Sequence, residues 1–214
     1  YSSRYISDDQ ACDTLLSNLD TKPLGDPKLI KFTTGRRRKQ WYKNVVAVGL
    51  SSGFLEPLES TSIHLIQSAI VRLIQLFPHN GFAPSLETEY NKQSELEFEQ
   101  IRDFLVLHYT VNERTDSAFF NDMRNITLPD SLAHKIALFK ESGNLLREQN
   151  DLFLESSWLQ VLYGQGITPK DYHGLVNSVP EVQLNQMLTR LLEIKKVYQF
   201  KLKSHILSGI EPVS

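Results

Sequence analysis

GLSSGFLEPLESTSI, residues 49–63, is the stretch on which the reading of this chain turns. It follows the strand-like NVVAVGL (44–50) with a Gly/Ser turn. It then sets two carboxylates, Glu56 and Glu59, three residues apart around Pro57, and places Ser60, Thr61 and Ser62 ahead of an apolar run. Ser60 or Thr61 would serve as N-cap of a helix starting there, because a hydroxyl oxygen can accept from an otherwise unpaired first-turn amide. The remaining free amides, with the positive end of the helix dipole, make such a terminus an anion site. Glu59 falls at the same place, shielded from bulk water by the apolar helix. A carboxylate beside an anion-binding turn suggests chemistry. The same residues also read as a plain capping arrangement, and their spacing alone does not choose between the two.

Upstream, Lys28 to Thr33 (KLIKFT) and Asn44 to Leu50 are short, apolar and rich in β-branched or aromatic residues, so both read as strands, separated by a basic stretch from Gly35 to Lys43. A lone strand pair is marginal, so further strands are to be sought outside this chain. Downstream, Ile63, Ile66, Ile70, Leu73 and Phe77 recur at helical steps until Pro78 and Gly81. Leu65, Ala69 and Leu76 widen that face, which predicts a helix buried between other elements. A long second helix is expected after Pro84, with Ser85 as N-cap, reaching about Val111. Further helices are expected at Ser117–Arg124, Leu132–Lys140, Asp151–Tyr163 and Pro180 to about Leu207, with a short one at Asp8–Asn18. The expected class is mainly α with a small β fragment.

The composition agrees with an ordinary globular chain: 214 residues, 41% hydrophobic and 22% charged, with a net charge of -2. That balance offers no global field for nucleic acid. The longest apolar run, Val45 to Leu50, is far short of the roughly 18 residues a membrane span needs. The single Cys12 excludes an intrachain disulfide and a Cys-rich metal site, which suits a reducing, cytoplasmic setting. The first residues, YSSRY, begin without an initiator Met or signal-peptide order, so the sequence is expected to open within something longer.

Other motifs carry less. The run Gly35-Arg36-Arg37-Arg38-Lys39 reads as a solvated turn more readily than as an anion site or localisation signal. The six histidines show no metal-ligand spacing, so no metal is expected; His64 and His108 read as satisfied core histidines. Gly164-Gln165-Gly166 follows a helix and lacks a third glycine, which makes it a helix end.

The stretch GRRRKQWYKNVVAVGLSSGFLEPLESTSIHLIQ, residues 35–67, closely resembles the C-terminal hallmark of flavin-dependent halogenases of the tryptophan halogenase family. The resemblance continues through IRDFL (101–105) with LHY (107–109), DSLAHKI (130–136) and SWLQVLYGQG (157–166), and covers the chain from Tyr1 to about His173. It implies the C-terminal, helical portion of an α/β FAD-dependent monooxygenase-like fold. Residues 1–58 would close the flavin-binding module and 59–214 would form the substrate side. The GxGxxG half, the WxWxIP signature and the catalytic lysine do not occur here.

The resemblance implies reduced FAD from a separate flavin reductase, oxygen, and chloride or bromide, with an electron-rich aromatic small molecule as substrate. It places the active-site glutamate at Glu59, halide on the backbone amides of Thr61 and Ser62, and flavin contacts at Leu50 and Ile63. The family often has Gly where Ser62 stands. Neither nucleic acid nor a membrane is an expected partner, and a homodimer is compatible. Free-tryptophan enzymes clamp their substrate with a tyrosine- and acid-rich stretch followed by Phe-Trp; here residues 141–157 (ESGNLLREQNDLFLESS) do not match. The SWLQV and GQG motifs resemble the branch accepting indoles or unidentified aromatics. Trp158 reads as core before pocket lining. Two rival readings stand beside this one: a flavoprotein monooxygenase on the same framework, and a non-catalytic truncated helical module. Such a fragment is expected to be inactive alone.

Overall fold

The computed structural model describes residues 1–148 and 151–208, with side chains to Ile194. The end of the expected helical region, 209–214, lies outside the described residues. In chain order the elements are α1 (Asp8–Ser17), β1 (Gly35–Arg36), β2 (Trp41–Tyr42), β3 (Val45–Val46), β4 (Gly53–Phe54), α2 (Ser62–Gln75), α3 (Pro84–Thr110), α4 (Ala118–Arg124), α5 (Asp130–Ser142), α6 (Glu155–Gly164) and α7 (Glu181–Ser208). Short 3-10 turns occupy Gly49–Ser51, Pro57–Glu59 and Gly174–Ser178. The chain is thus mainly helical with a small β fragment.

The 27-residue α3 is the spine. Pro84 stands in its first turn, where a missing amide costs nothing, and Ala83 is the N-cap, so Ser85 lies inside the helix and caps nothing. Tyr90, Ser94, Glu97, Ile101 and Phe104 bury one side at three- and four-residue steps. Phe104 and Leu107 enter the main core, where Leu132, Ile136 and Phe139 of α5 meet Trp158 and Leu162 of α6. α5 stops at Gly143, whose left-handed backbone (φ 68°) lets its amide return to the Phe139 carbonyl at 2.8 Å. α6 opens at Glu155, one turn later than its apolar pattern suggests, because Asp151 is buried, accepting from Lys135 (3.4 Å) and from the Phe153 amide (3.1 Å).

The β fragment lies against the front of α3. β1 pairs antiparallel with β4, Gly35 opposite Phe54 and Arg36 opposite Gly53. β2 and β3 form a hairpin, Trp41 opposite Val46 and Tyr42 opposite Val45, across Lys43-Asn44 with Lys43 left-handed at φ 55°. Asn91 of α3 substitutes for a neighbouring strand. Its Oδ1 accepts from the amides of Gln40 (2.7 Å) and Trp41 (3.0 Å), and its Nδ2 donates to the Trp41 carbonyl (2.8 Å). Of the expected strand at Asn44–Leu50, only Val45–Val46 is a ladder, because a 3-10 turn begins at Gly49. The expected strand at Lys28–Thr33 does not form: among the described residues it has no ladder partner, and Leu29, Ile30 and Phe32 are exposed.

The basic run is clamped down. Arg36 pairs with Glu95 and, at 3.5 Å, with Glu99; Arg37 Nε donates to the Ser51 carbonyl at 2.5 Å; Lys39 reaches Glu87 at 3.1 Å. Arg36 and Lys39 thus fix the turn to the acidic side of α3. The expectation that α2 is buried fails. Ile63, Ile70, Val71, Ile74 and Phe77 are exposed, and only Ala69 and Arg72 of the helix are buried. Its wide apolar surface meets α3 and the 3-10 turn at Gly49–Ser51 and leaves these side chains uncovered among the described residues. No helix among the described residues is long and apolar enough to cross a membrane.

Candidate functional site

The residues around Pro57 are held by two consecutive residues of α3. Pro57–Glu59 winds one 3-10 turn, and Ser60 follows in the left-handed region (φ 54°), its amide closing the turn by donating a hydrogen bond to the Pro57 carbonyl at 2.9 Å. Ser60 therefore cannot cap α2, and Thr61 takes the N-cap position without a side-chain bond to the helix. The first backbone bond of the helix runs from the Leu65 amide to the Thr61 carbonyl at 3.0 Å. The amides of Thr61 and Ser62 thus belong to the set that a helix start leaves without an intrahelical acceptor. Thr61 is buried and Ser62 half-buried.

Glu59 ends the 3-10 turn with its side chain 34% exposed, and its Oε1 lies 3.0 Å from Nε2 of His108, itself 20% exposed. The other ring nitrogen, Nδ1, lies 2.8 Å from the Phe104 carbonyl. A carbonyl only accepts, so Nδ1 carries a hydrogen and donates to it. The next residue, Tyr109, donates its hydroxyl to Glu56. Burial first, and then that bond, push the Tyr109 hydroxyl well above the ordinary tyrosine value.

Behind His108 the aromatic side chains are continuous. Its ring meets Phe104 edge-on at 4.8 Å between centroids; Phe104 stacks on Phe153 at 3.9 Å and meets Trp158 at 4.9 Å. Trp158 is 3% exposed, a core residue whose ring lies 4.1 Å from the Lys135 ammonium. Lys135 in turn pairs with Glu148 (3.3 Å) and Asp151 (3.4 Å), so the α5–α6 connection is anchored from beneath by a cation. On the Glu56 side, a cavity of about 830 Å³ is walled by Tyr5, Phe32, Phe54, Tyr109 and Phe119.

Of the residues singled out in the sequence, Glu59, Thr61 and Ser62 come together at the start of α2. Leu50, in the preceding 3-10 turn, is 77% exposed, and Ile63, in the first turn of α2, is 70% exposed. His108 and Tyr109 are the residues that sequence reasoning missed. His108 resembled a core histidine because its pairing with Glu59 joins parts of the chain far apart in sequence. His64 also proves to be paired, with Glu97 at 3.1 Å.

The family profile described as tryptophan halogenase matches residues 1–181. The chain belongs to that family. Among curated proteins it is 31% identical over 188 residues to tryptophan 7-halogenase RebH of Lentzea aerocolonigenes, covering 79% of this chain and 35% of that protein. Among solved structures it resembles Xcc4156, a flavin-dependent halogenase from Xanthomonas campestris, at 43% identity and a TM-score of 0.86, over 94% of this chain and 41% of that one. It likewise resembles BrvH, a flavin-dependent halogenase from Brevundimonas sp. BAL3, at 40% identity and a TM-score of 0.86, over 99% of this chain and 44% of that one. The chain therefore spans about a third of the length of the curated relative and about two fifths of the solved ones.

Proposed function

We propose that the full-length protein carrying this chain is an FAD-dependent halogenase acting on an electron-rich, indole-like aromatic, with Glu59 as its active-site carboxylate. The observation that carries this reading is the placing of Glu59, part-shielded and held by His108, directly before the open amides of Thr61 and Ser62. Those two amides would hold chloride or bromide, with the helix dipole favouring the anion. Exposed Leu50 and Ile63 on either side of the turn suit contact with a flavin. No glycine-rich pyrophosphate cradle occurs in these residues, so the part of the protein outside them would bind most of the cofactor. When bound, reduced FAD supplies with oxygen the oxidising power that makes the halogen electrophilic; a separate flavin reductase would deliver it, and the reaction belongs in the cytoplasm.

Glu59 would then polarise the halogenating species or take the proton that the ring loses as it regains aromaticity. A part-desolvated carboxylate interacts more strongly with developing positive charge than one in water. Residues 1–58 would complete the flavin module, and the helices from residue 59 onward would form the substrate side. The departure of residues 141–157 from the free-tryptophan clamp supports an indole-like substrate over free tryptophan.

The test is to supply the full-length protein with reduced FAD, oxygen, and chloride or bromide, and to follow indole by mass spectrometry. A monohalogenated product that disappears in Glu59→Gln is expected. An oxygenated product formed equally without halide would replace this reading with a monooxygenase. Full activity in Glu59→Gln would remove Glu59 from the mechanism.

A further inference from the structure

We infer that His108 is the positioning residue of the site, sharing one proton with Glu59 and holding that carboxylate by one oxygen so that the other faces the reaction. The inference rests on the reading of Glu59 given above and adds a residue and a proton state to it.

The argument is one of counting hydrogens. Nδ1 of His108 faces the Phe104 carbonyl at 2.8 Å and must donate, which leaves Nε2 of a neutral ring as a lone pair. Nε2 faces Glu59 Oε1 at 3.0 Å. Two lone pairs at that distance repel, so a proton lies between them, either as imidazolium with carboxylate or as neutral ring with carboxylic acid. In both forms Oε1 is engaged and Oε2 remains. The ring cannot turn away to relieve a lost proton, because its edge is set against Phe104 at 4.8 Å and Nδ1 is tied to the helix's own backbone.

The neighbouring ionisable groups are committed elsewhere. From the turn, Glu56 is bound by Tyr109 of α3. From α2, His64 answers Glu97, which also holds Arg72 at 2.7 Å. None of these forms a hydrogen bond or ion pair with His108 or Glu59 among the described residues, so the shared proton belongs to that pair.

The consequence is a split between rate and binding. In the full-length protein, His108→Phe keeps the ring against Phe104 but removes both nitrogens, so Glu59 loses its hold. It should lower kcat by up to about 100-fold, the cost of misplacing a reacting group, and leave KM for indole unchanged. His108→Gln, which still carries a donor, should recover part of the rate. Nitrogen-15 NMR of the His108 ring, read with carbon-13 NMR of the Glu59 carboxyl, should find a proton on one of the two groups.

Wild-type kcat in both His108 variants would overturn the inference while leaving the halogenase reading intact. If the wild type halogenates nothing, the halogenase reading fails, and the NMR decides the pairing alone: an unprotonated Nε2 beside an ionised Glu59 overturns it, and a proton on either group supports it.

Discussion

Gly53→Ala is the substitution for which the structure gives the sharpest expectation. A Cβ at this position would lie 2.7 Å from the Gly35 carbonyl oxygen, 2.9 Å from Arg36 Cα and 2.9 Å from Phe98 Cε1. The first two are backbone atoms of β1, and the third belongs to a buried ring on α3, so no flexible chain end can give way. Overpacking of this kind costs about 1–3 kcal/mol. Restricting the unfolded chain returns about 0.4–1 kcal/mol, leaving a net loss of roughly 1–2 kcal/mol. With an m-value of about 2–3 kcal/mol/M, the urea midpoint should fall by roughly 0.3–1 M, followed by tryptophan fluorescence on the full-length protein. The control is Gly164→Ala, at the last residue of α6, where nothing lies within 4 Å of the added carbon. It should gain up to about 1 kcal/mol of helix propensity and move the midpoint the other way. A Gly53→Ala midpoint at or above wild type would refute the claim that β4 is wedged between β1 and Phe98.

Arg72→Met strips Glu97 of its 2.7 Å partner in a buried setting where Ser94 also binds the guanidinium, so a loss of about 3–5 kcal/mol in urea unfolding is expected. Replacing Glu97 as well, in Arg72→Met/Glu97→Met, should recover most of it. Tyr109 holds its proton more tightly folded than unfolded, so its contribution is complete below the ordinary tyrosine value of 10.0 and is lost as pH rises above it. The stability difference between wild type and Tyr109→Phe should therefore shrink from pH 9 toward pH 12, while a constant difference would contradict the bond to Glu56. Residues 1–214 expressed alone should self-associate in light scattering through the exposed Ile63, Ile70, Ile74 and Phe77, and a monodisperse monomer would show that this surface needs no cover.

Helices were legible because their period is written in the chain itself: Tyr90, Ser94, Ile101 and Phe104 recur at the spacing that one side of α3 requires, and the Ser142-Gly143-Asn144 break ends α5 at a left-handed glycine. The strands were less so. Lys28–Thr33 has strand composition, yet a strand is completed by a neighbour, and composition does not say whether one is present. The same reasoning misjudged α2, where apolar side chains on many sides implied cover that the described residues do not provide. At the site, the turn and the open amides were readable locally. The grip of His108 on Glu59 was not, since a tertiary contact between distant segments leaves no mark on either one.

The two carboxylates around Pro57 show what that contact decides. By pattern, Glu56 and Glu59 are equivalent: three residues apart, flanking one proline, next to one helix start. α3 separates them by presenting two different donors from adjacent positions. Glu56 receives a phenol whose proton is held more tightly than usual, so its charge has a permanent neutral partner and is spent on fixing the turn. Glu59 receives an imidazole, the side chain that exchanges a proton near neutral pH, and it retains a free oxygen beside the unpaired amides of Thr61 and Ser62. That difference, a fixed latch on one side and a shared proton on the other, is what favours Glu59 over Glu56 in the proposal made for this site. It also assigns Glu56 the task of keeping the turn where His108 can reach its partner.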